Sequence, residues 1–144
     1  MQTKNAKEID KRDQRTLALW AADCAERVLP YFEDKHPNDN RPRNAIATVR
    51  AWARGEIPFS MKLIRTASLN SHAAARAAVD PAAIAAARAA GQAVATAHVA
   101  GHARAAAAYA IKALGSASAN ERIWQRRRLP RRLRAFALPT VASS

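Results

Sequence analysis

The chain has 144 residues, with 24 basic and 11 acidic side chains and a formal net charge of +13. This length is typical of a single domain that needs neither a disulfide nor a structural metal to be stable. The lone cysteine, Cys24, excludes a disulfide framework, and no apolar run has the length of a secretory signal or a membrane span. We therefore expect one soluble, cytoplasmic domain.

The charges are distributed unevenly along the chain. Eight of the 11 acidic residues precede Arg41, whereas seven basic residues lie within residues 122–134. A cationic block of this kind attracts anionic partners, such as a nucleic acid, an acidic protein face or a membrane surface. The alternative interpretation is a solvated face that only promotes solubility.

Two helices are predicted in the N-terminal third. Within residues 13–34, apolar residues recur at helical spacing, and the stripe comprises Leu17, Trp20, Ala21, Cys24, Val28 and Phe32. Pro37 and the turn-forming residues around it end this helix. Asp39 or Asn40 caps a second helix, which has a proline in its first turn and ends at Gly55.

Capping residues also divide the middle of the chain. Ser60 is placed to cap a third helix from about Met61 to Val79, and Asp80 followed by Pro81 is a stop and restart signal. The helical pattern then continues over residues 82–114. It is either one long helix or two helices with a kink between Thr96 and Gly101.

Alanine dominates the central segment, with 23 alanines from Ala73 to Ala113. Such small side chains favour close helix–helix approach, so large apolar side chains must come mostly from the first two helices and the termini. A last helix starts after Ser118 or Asn120, and Pro130 bends or restarts it. No segment alternates with a period of two. We predict an all-α, single-domain bundle of five or six helices over residues 1–138, with a disordered tail at 139–144.

Two histidines lie in the alanine-rich segment, four residues apart. At 100° per residue they share one helical stripe, which comprises Ile84, Gly91, Ala95, His98, His102 and Tyr109. We expect this stripe to face inward or into a groove, with Gly91 allowing a neighbouring helix to approach closely. The candidate residues of a buried polar network or pocket are Asp23, His72, His98, His102 and Tyr109.

Three interpretations of the histidines stay open. They form a polar network between helices, a pocket for a small molecule, or a metal site. A zinc site needs three or four ligands. His72 and an acidic residue such as Asp23 or Glu26 are the remaining candidates, but nothing in the sequence fixes their distances. We predict no metal and no cofactor.

Signatures of catalysis are not found in the sequence. There is no glycine-rich phosphate loop, no nucleophile elbow and no HExxH motif, because residues 98–102 read His-Val-Ala-Gly-His. Cys24 lies on the apolar stripe of the first helix, which predicts a buried structural thiol. We therefore predict no catalytic residues and a non-catalytic binding function.

The segment "ERIWQRRRLPRRLRAF" is the one with obvious binding character. Arginine recognises carboxylate and phosphate through its bidentate fork. The candidate partner-binding residues are Arg122, Trp124, Arg126, Arg127, Arg128, Arg131, Arg132 and Arg134. Three alternatives stay open: a terminal helix docked on the bundle, a nucleic-acid contact driven by counterion release, or an acidic protein or membrane partner. Self-association also stays open.

Several segments, taken together and in order, resemble a known family. They are "LWAADCAERVLPYFE", "DNRPRNAIATVRAWARGEI", "SHAAARAA", "AAGQAVATAHVAGHARAAAAYAIKA" and "WQRRRLP". Their combination resembles the immunity-protein-five-like family of small all-helical bacterial proteins, and the resemblance extends from about Leu17 to Leu133. It implies a protein that binds and blocks a cognate toxin encoded nearby and has no catalysis of its own. The residues that carry it are Trp20, Asp23, Cys24, Pro30, Asp39, Arg41, Pro42, Arg43, Ala45, Ile46, Arg50, Trp52, Gly55, His72, Gly91, Ala95, His98, His102, Tyr109, Trp124 and Pro130.

Overall fold

A computed structural model describes residues 9–140, and all regular elements in that range are helical. Six helices have ten residues or more and a seventh is shorter, which confirms the predicted all-α bundle. A single 3₁₀ turn, Gly115–Ala117, joins the fifth helix to the sixth. The helices are α1 (Lys11–Glu33), α2 (Arg41–Ala53), α3 (Met61–Ala77), α4 (Pro81–Ala95), α5 (His102–Leu114), α6 (Ser118–Arg127) and α7 (Arg131–Ala137).

Side-chain caps start three of these helices. Asp10 accepts a hydrogen bond from the Asp13 N–H at 2.8 Å, and Ser60 accepts one from the Leu63 N–H at 3.2 Å. Asp80 caps α4 in the same way, directly before Pro81. Each cap satisfies a backbone donor that has no partner within its own helix. The boundaries that the sequence marked by Ser60, Asp80 and Pro81 are therefore confirmed.

The alanine-rich helix α4 lies at the centre of the bundle and packs against α1, α2, α3 and α5. Almost every residue from Ala83 to Val94 is buried or half-buried, and most of them are alanine. Helices that present such small side chains approach closely, and their backbones supply much of the packing contact.

The large core side chains come from the two ends of the chain, as predicted. Phe32 and Leu17 of α1, together with Leu129 and Leu133, are among the largest fully buried side chains. The predicted apolar stripe of α1 is also confirmed, because all six of its residues are buried. The core thus combines the small side chains of α4 with bulky residues from α1, α2 and the C-terminal segment.

The helical pattern over residues 82–114 is broken into two helices. Residues 96–101 form turns between α4 and α5. Gln14 stabilises this break from α1, since its Nε2 donates to the carbonyls of Thr96 at 3.0 Å and Ala97 at 3.1 Å. Of the two alternatives predicted for this segment, two helices with a break between Thr96 and Gly101 is confirmed. The single helical stripe through Ile84, His98, His102 and Tyr109 is wrong, because the rotation of 100° per residue does not continue across the turns.

None of the helices in the described part of the chain is long and apolar enough to cross a membrane. Most of the predicted C-terminal tail, residues 141–144, lies outside the described residues. Its predicted disorder stays a prediction.

Candidate functional site

The C-terminal helices are docked on the bundle through buried polar contacts. The Trp20 indole N–H donates to the Gln125 carbonyl at 2.9 Å, and the Gln125 side chain donates to the Ala107 carbonyl at 3.0 Å. Both partners of each bond are buried. Buried hydrogen bonds of this type fix the orientation of α6 relative to α1 and α5, because any other orientation would leave buried polar groups without partners. The arginine-rich segment is therefore part of the fold.

Arg27 of α1 holds α6 through an ion pair and a ring contact. Its Nε lies 2.8 Å from Oε1 of Glu121, whose side chain is only 1% exposed. The same guanidinium lies over the Trp124 ring, 4.1 Å from its centroid, and Arg128 lies over that ring at 5.2 Å. Trp124 therefore anchors the segment and already contacts two cations.

Three of the arginines proposed for partner binding make internal contacts. Arg128 pairs with Asp23 at 2.9 Å, and Arg132 pairs with the 3% exposed carboxylate of Asp13 at 2.9 Å. Arg134 donates to the Leu129 carbonyl. Two of these contacts pair C-terminal cations with acidic groups of α1, so part of the C-terminal positive charge is neutralised within the fold.

The other four arginines form a different group. Arg126, Arg127 and Arg131 are exposed and Arg122 is half-buried, and none of their side chains forms a hydrogen bond or ion pair with residues 9–140. Ile123, which is 51% exposed, lies on α6 and lines the same groove as Arg127. We call these five residues the C-terminal arginine surface. Beside it is a shallow groove of about 390 Å³, lined by Asn120, Ile123, Trp124, Arg127 and Arg128.

A second concave feature lies between α3, the end of α4 and the start of α5. It has a volume of about 440 Å³, and we call it the histidine groove. Its lining residues are Met61, Ile64, Arg65, Ser68, Leu69, His72, Gln92, Ala95, His98 and His102. Three of the residues predicted for a polar network or pocket, His72, His98 and His102, are thus brought together.

His72 reaches α4 at its glycine. A Cβ atom at Gly91 would lie only 2.7 Å from His72 Nε2, so the glycine provides the space for the imidazole. Arg88 NH1 lies 2.8 Å from His72 Nδ1. Because arginine only donates, Nδ1 accepts and the proton of the neutral ring is on Nε2. Ser68 and Ser71 donate to α4 carbonyls on the same side of α3, at Gly91 and Ala87.

His102 is the first residue of α5 and is fixed by α4. Its Nδ1 lies 2.7 Å from Gln92 Oε1, so Nδ1 donates and Nε2 is left as an acceptor. Burial lowers the pKa of His72, with smaller effects of Arg88, Arg76 and His102, and burial lowers the pKa of His102, assisted by His98. His98 is exposed on the turn before α5. The two half-buried rings are therefore neutral at pH 7.

Two of the predicted network residues lie elsewhere. Asp23 forms ion pairs with Arg50 and Arg128, and Tyr109 lines a separate cleft with Ile84. The expectation that both histidines face the same way as Ile84 and Tyr109 is wrong, since the turns at residues 96–101 rotate α5 relative to α4. Within residues 9–140, no group of three His, Cys, Asp or Glu side chains has the arrangement of a metal site.

Apart from His72, the α3 residues that line the histidine groove were missed by sequence reasoning. Residues 61, 64, 65, 68, 69 and 72 recur at helical spacing on one side of α3, and that signal was present in the sequence. The contributions of Gln92 and Ala95 depend on the break after α4, which the sequence offered as one of two alternatives, and on the position of α3 beside it.

The fold and these surfaces define a helical bundle with an unpaired cationic surface and a histidine-lined groove. The chain belongs to the family described as Imm-5 like putative immunity protein, whose profile matches residues 7–132. The resemblance found in the sequence is therefore confirmed. No curated protein and no solved structure matches the chain.

Proposed function

We propose that this chain is a non-catalytic, cytoplasmic immunity protein that neutralises a cognate bacterial toxin by direct complex formation. Membership of the immunity family supports a toxin partner in general. The observation that carries the binding mode is the C-terminal arginine surface, where exposed guanidinium groups lack ion-pair partners among the described residues. The partner face that fits this surface is acidic.

The composition of this surface is suited to a protein interface. Arginine is enriched at interfaces and at their energetic hot spots, and an exposed apolar residue at the centre supplies area to bury. Ile123 supplies an exposed apolar residue beside Arg127. Exposed charges of this kind accelerate association with an oppositely charged face and select the partner. Covering the active site of the toxin, or distorting it, would then block its activity.

A nucleic-acid partner is supported less well by the same surface. Single-stranded nucleic acids bind on aromatic side chains that stack on bases. The aromatic residue of this segment, Trp124, already has the guanidinium groups of Arg27 and Arg128 over its ring. Binding by counterion release alone remains an outcome that the test distinguishes, through its steep dependence on salt.

The test is a toxicity rescue with matched variants. The open reading frame beside this gene is expressed in a sensitive bacterium, alone and together with the wild-type chain. One variant carries Arg126→Ala, Arg127→Ala and Arg131→Ala. The control carries Lys35→Ala, Arg54→Ala and Lys62→Ala, which remove the same charge at exposed positions elsewhere.

We expect wild type and control to restore growth and to co-purify with the toxin, and the arginine variant to fail in both. A harmless neighbour, or killing that the wild type does not relieve, overturns the immunity function. If the arginine variant and the control lose rescue and co-purification equally, the net charge of the protein, and not this surface, is responsible for toxin binding. Copurification that disappears on nuclease treatment assigns the arginines to nucleic acid instead.

A further inference from the structure

The histidine groove lacks acidic groups. Arg65 and three histidines are among its lining residues, and none of the lining residues is an aspartate or glutamate. Arg88 and Arg76 also act on His72, and no carboxylate is among the groups that influence either half-buried ring. Positive potential therefore accumulates in the groove without an opposing charge.

The start of α5 adds to this potential. His102 is the first residue of this 13-residue helix, and its first turn contains no acidic residue. The preceding Gly101 provides no side-chain cap. The N-terminal end of a helix carries a partial positive charge, which favours an anion beside it. The first N–H groups of α5 already donate to the carbonyls of residues 99–101, so the side chains supply the donors for an anion. The imidazole of His102 lies at this end, and its Nε2, an acceptor in the neutral ring, becomes a donor to an anion when the ring is protonated.

The rest of the lining is apolar. Met61, Ile64 and Leu69 of α3 and Ala95 of α4 supply this part, and the Met61 and Leu69 side chains are exposed to solvent at 44% and 53%. Ligand pockets typically combine such apolar walls with a few polar groups that orient the ligand, in volumes of roughly 300–1,000 Å³. The 440 Å³ of the groove lies in that range.

We propose that the histidine groove is a binding site for a small carboxylic acid with an apolar body. The carboxylate lies between Arg65, His98 and His102, and the apolar body packs on the α3 side chains. This site is distinct from the C-terminal arginine surface and does not depend on the proposed function.

Protonation is coupled to binding in this site. The titratable and charged groups that face the two half-buried imidazoles are Arg65, Arg76 and Arg88, the exposed His98, and each other. Burial and these basic neighbours disfavour an added proton on either ring in the empty groove. A bound carboxylate removes that penalty, and by linkage the affinity for the carboxylate rises as the pH falls.

The probes are 4-phenylbutyrate and 4-phenylbutanol, which share an apolar body and differ in charge. Binding is followed by NMR at pH 8 and pH 6, from the imidazole carbon-bound proton resonances. We expect the acid to shift the His98 and His102 resonances and to bind at least tenfold more tightly at pH 6. The alcohol should bind more weakly at both values, with little pH dependence.

Two pairs of variants locate the site. Arg65→Ala should lower the affinity for 4-phenylbutyrate at least fivefold. Lys62→Ala also removes an exposed cation of α3, but Lys62 does not line the groove, so this variant should bind with unchanged affinity. His102→Asn keeps a donor toward Gln92 and should remove most of the pH dependence. Arg127→Ala on the arginine surface should have no effect.

Several results would overturn the inference. They are equal affinity for the acid and the alcohol, no stronger binding at pH 6 than at pH 8, or equal losses in Arg65→Ala and Lys62→Ala. Since wild type, Lys62→Ala and Arg65→Ala differ only at exposed positions, each is tested as a folded protein. Failure here leaves the toxin-rescue result untouched, and the reverse also holds.

Discussion

The imidazole of His72 occupies the space that a side chain at position 91 would need. The nearest ring atom, Nε2, would lie 2.7 Å from a Cβ atom at Gly91, and Cδ2 and Cε1 would both lie at 2.9 Å. Glycine within a helix costs about 1 kcal/mol relative to alanine. Glycine at this position of α4 leaves the space in which α3 places the His72 ring.

Gly91→Ala should therefore fail to stabilise the protein. The gain in helix propensity, about 1 kcal/mol, is offset when the ring moves and loses its hydrogen bond to Arg88, which contributes about 1 kcal/mol. In the background of His72→Ala, the same change at Gly91 should stabilise by about 1 kcal/mol. Urea unfolding of the four proteins measures this coupling. Equal effects of the alanine in both backgrounds would contradict the steric argument.

The Arg27–Glu121 pair predicts a large penalty for removing one partner. Arg27→Ala leaves a carboxylate that is 1% exposed without its guanidinium and uncovers the Trp124 ring. Because Arg27 itself is partly solvated, we expect about 2 kcal/mol of destabilisation, at the lower side of values for broken buried pairs. The comparison is Arg43→Ala, which breaks the more exposed Arg43–Glu33 pair and should cost less than about 1 kcal/mol. Similar costs for both would show that burial of Glu121 is unimportant.

Two neighbouring arginines should behave differently. Arg127 has no hydrogen bond or ion pair with the described residues, so Arg127→Ala should change stability by less than about 0.5 kcal/mol. Arg128 pairs with Asp23 and lies over Trp124, so Arg128→Ala should cost about 1 kcal/mol. For toxin binding we expect the opposite: Arg127→Ala should lower the affinity more than Arg128→Ala does. Chemical denaturation measures the stability of the two variants, and calorimetric titration measures their affinity for the toxin. If the same variant lost more in both measurements, the division into paired and unpaired arginines would be contradicted.

Stability should fall on mild acidification because of the histidine groove. His72 and His102 have pKa values below 6.5 in the folded state, mainly through burial. The unfolded chain therefore binds more protons near pH 6, and the stabilisation present above the unfolded pKa is lost as the pH falls through the folded values. The Glu26, Glu33 and Asp39 pKa values are lowered by arginine partners, so these groups stay ionised in this window.

The measurement is the free energy of unfolding at several values between pH 8 and about 5.5. His102→Asn should flatten the decrease, since it keeps a donor toward Gln92 and removes one titrating ring. Saturating 4-phenylbutyrate should also flatten it, if the carboxylate binds the protonated site. An identical pH profile in wild type and His102→Asn would assign the decrease to other groups.

Cys24 should be inert in the native protein. Burial raises the pKa of its thiol well above the usual value, and the neighbouring Glu121 and Asp23 raise it further. The thiolate, which is the reactive form, is therefore scarce and also inaccessible. An aromatic disulfide reagent should label the thiol only at the rate of unfolding, and immediately in urea. Rapid labelling of the native chain would show that α1 opens locally near this residue.

Local signals in the sequence were sufficient for most helix boundaries. Ser60, Asp80 and Pro81 act through backbone hydrogen bonds of their own first turns, so their effect is visible without knowledge of the fold. The apolar stripe of α1 is equally local, because one bundle face must bury it. The grouping of His72 with His98 and His102 was also proposed from sequence, although the stripe used to argue it does not exist.

Contacts between residues that are far apart in the sequence could not be predicted from local signals. Gln14 holds the break after α4 from a position more than 80 residues away, with sequence separations of 82 and 83. Nothing near Thr96 signals this partner. The division of the arginines into paired and unpaired groups also depends on where α1 lies. Arg128 pairs with Asp23 of α1 and Arg132 with Asp13, and Arg27 of α1 pairs with Glu121 of α6.

These pairings also give an order of assembly during synthesis. The contacts that hold α6 and α7 against α1 join residues 94, 105 and 119 positions apart, so α1 emerges from the ribosome long before its partners. Until α6 and α7 are released, Arg128 and Arg132 are not yet present to pair with Asp23 and Asp13, whereas Arg50 of α2 is already available to Asp23. A nascent chain therefore exposes part of the acidic surface of α1 until α6 and α7 have followed. The docking of these two helices completes the core and places the C-terminal arginine surface in the same step.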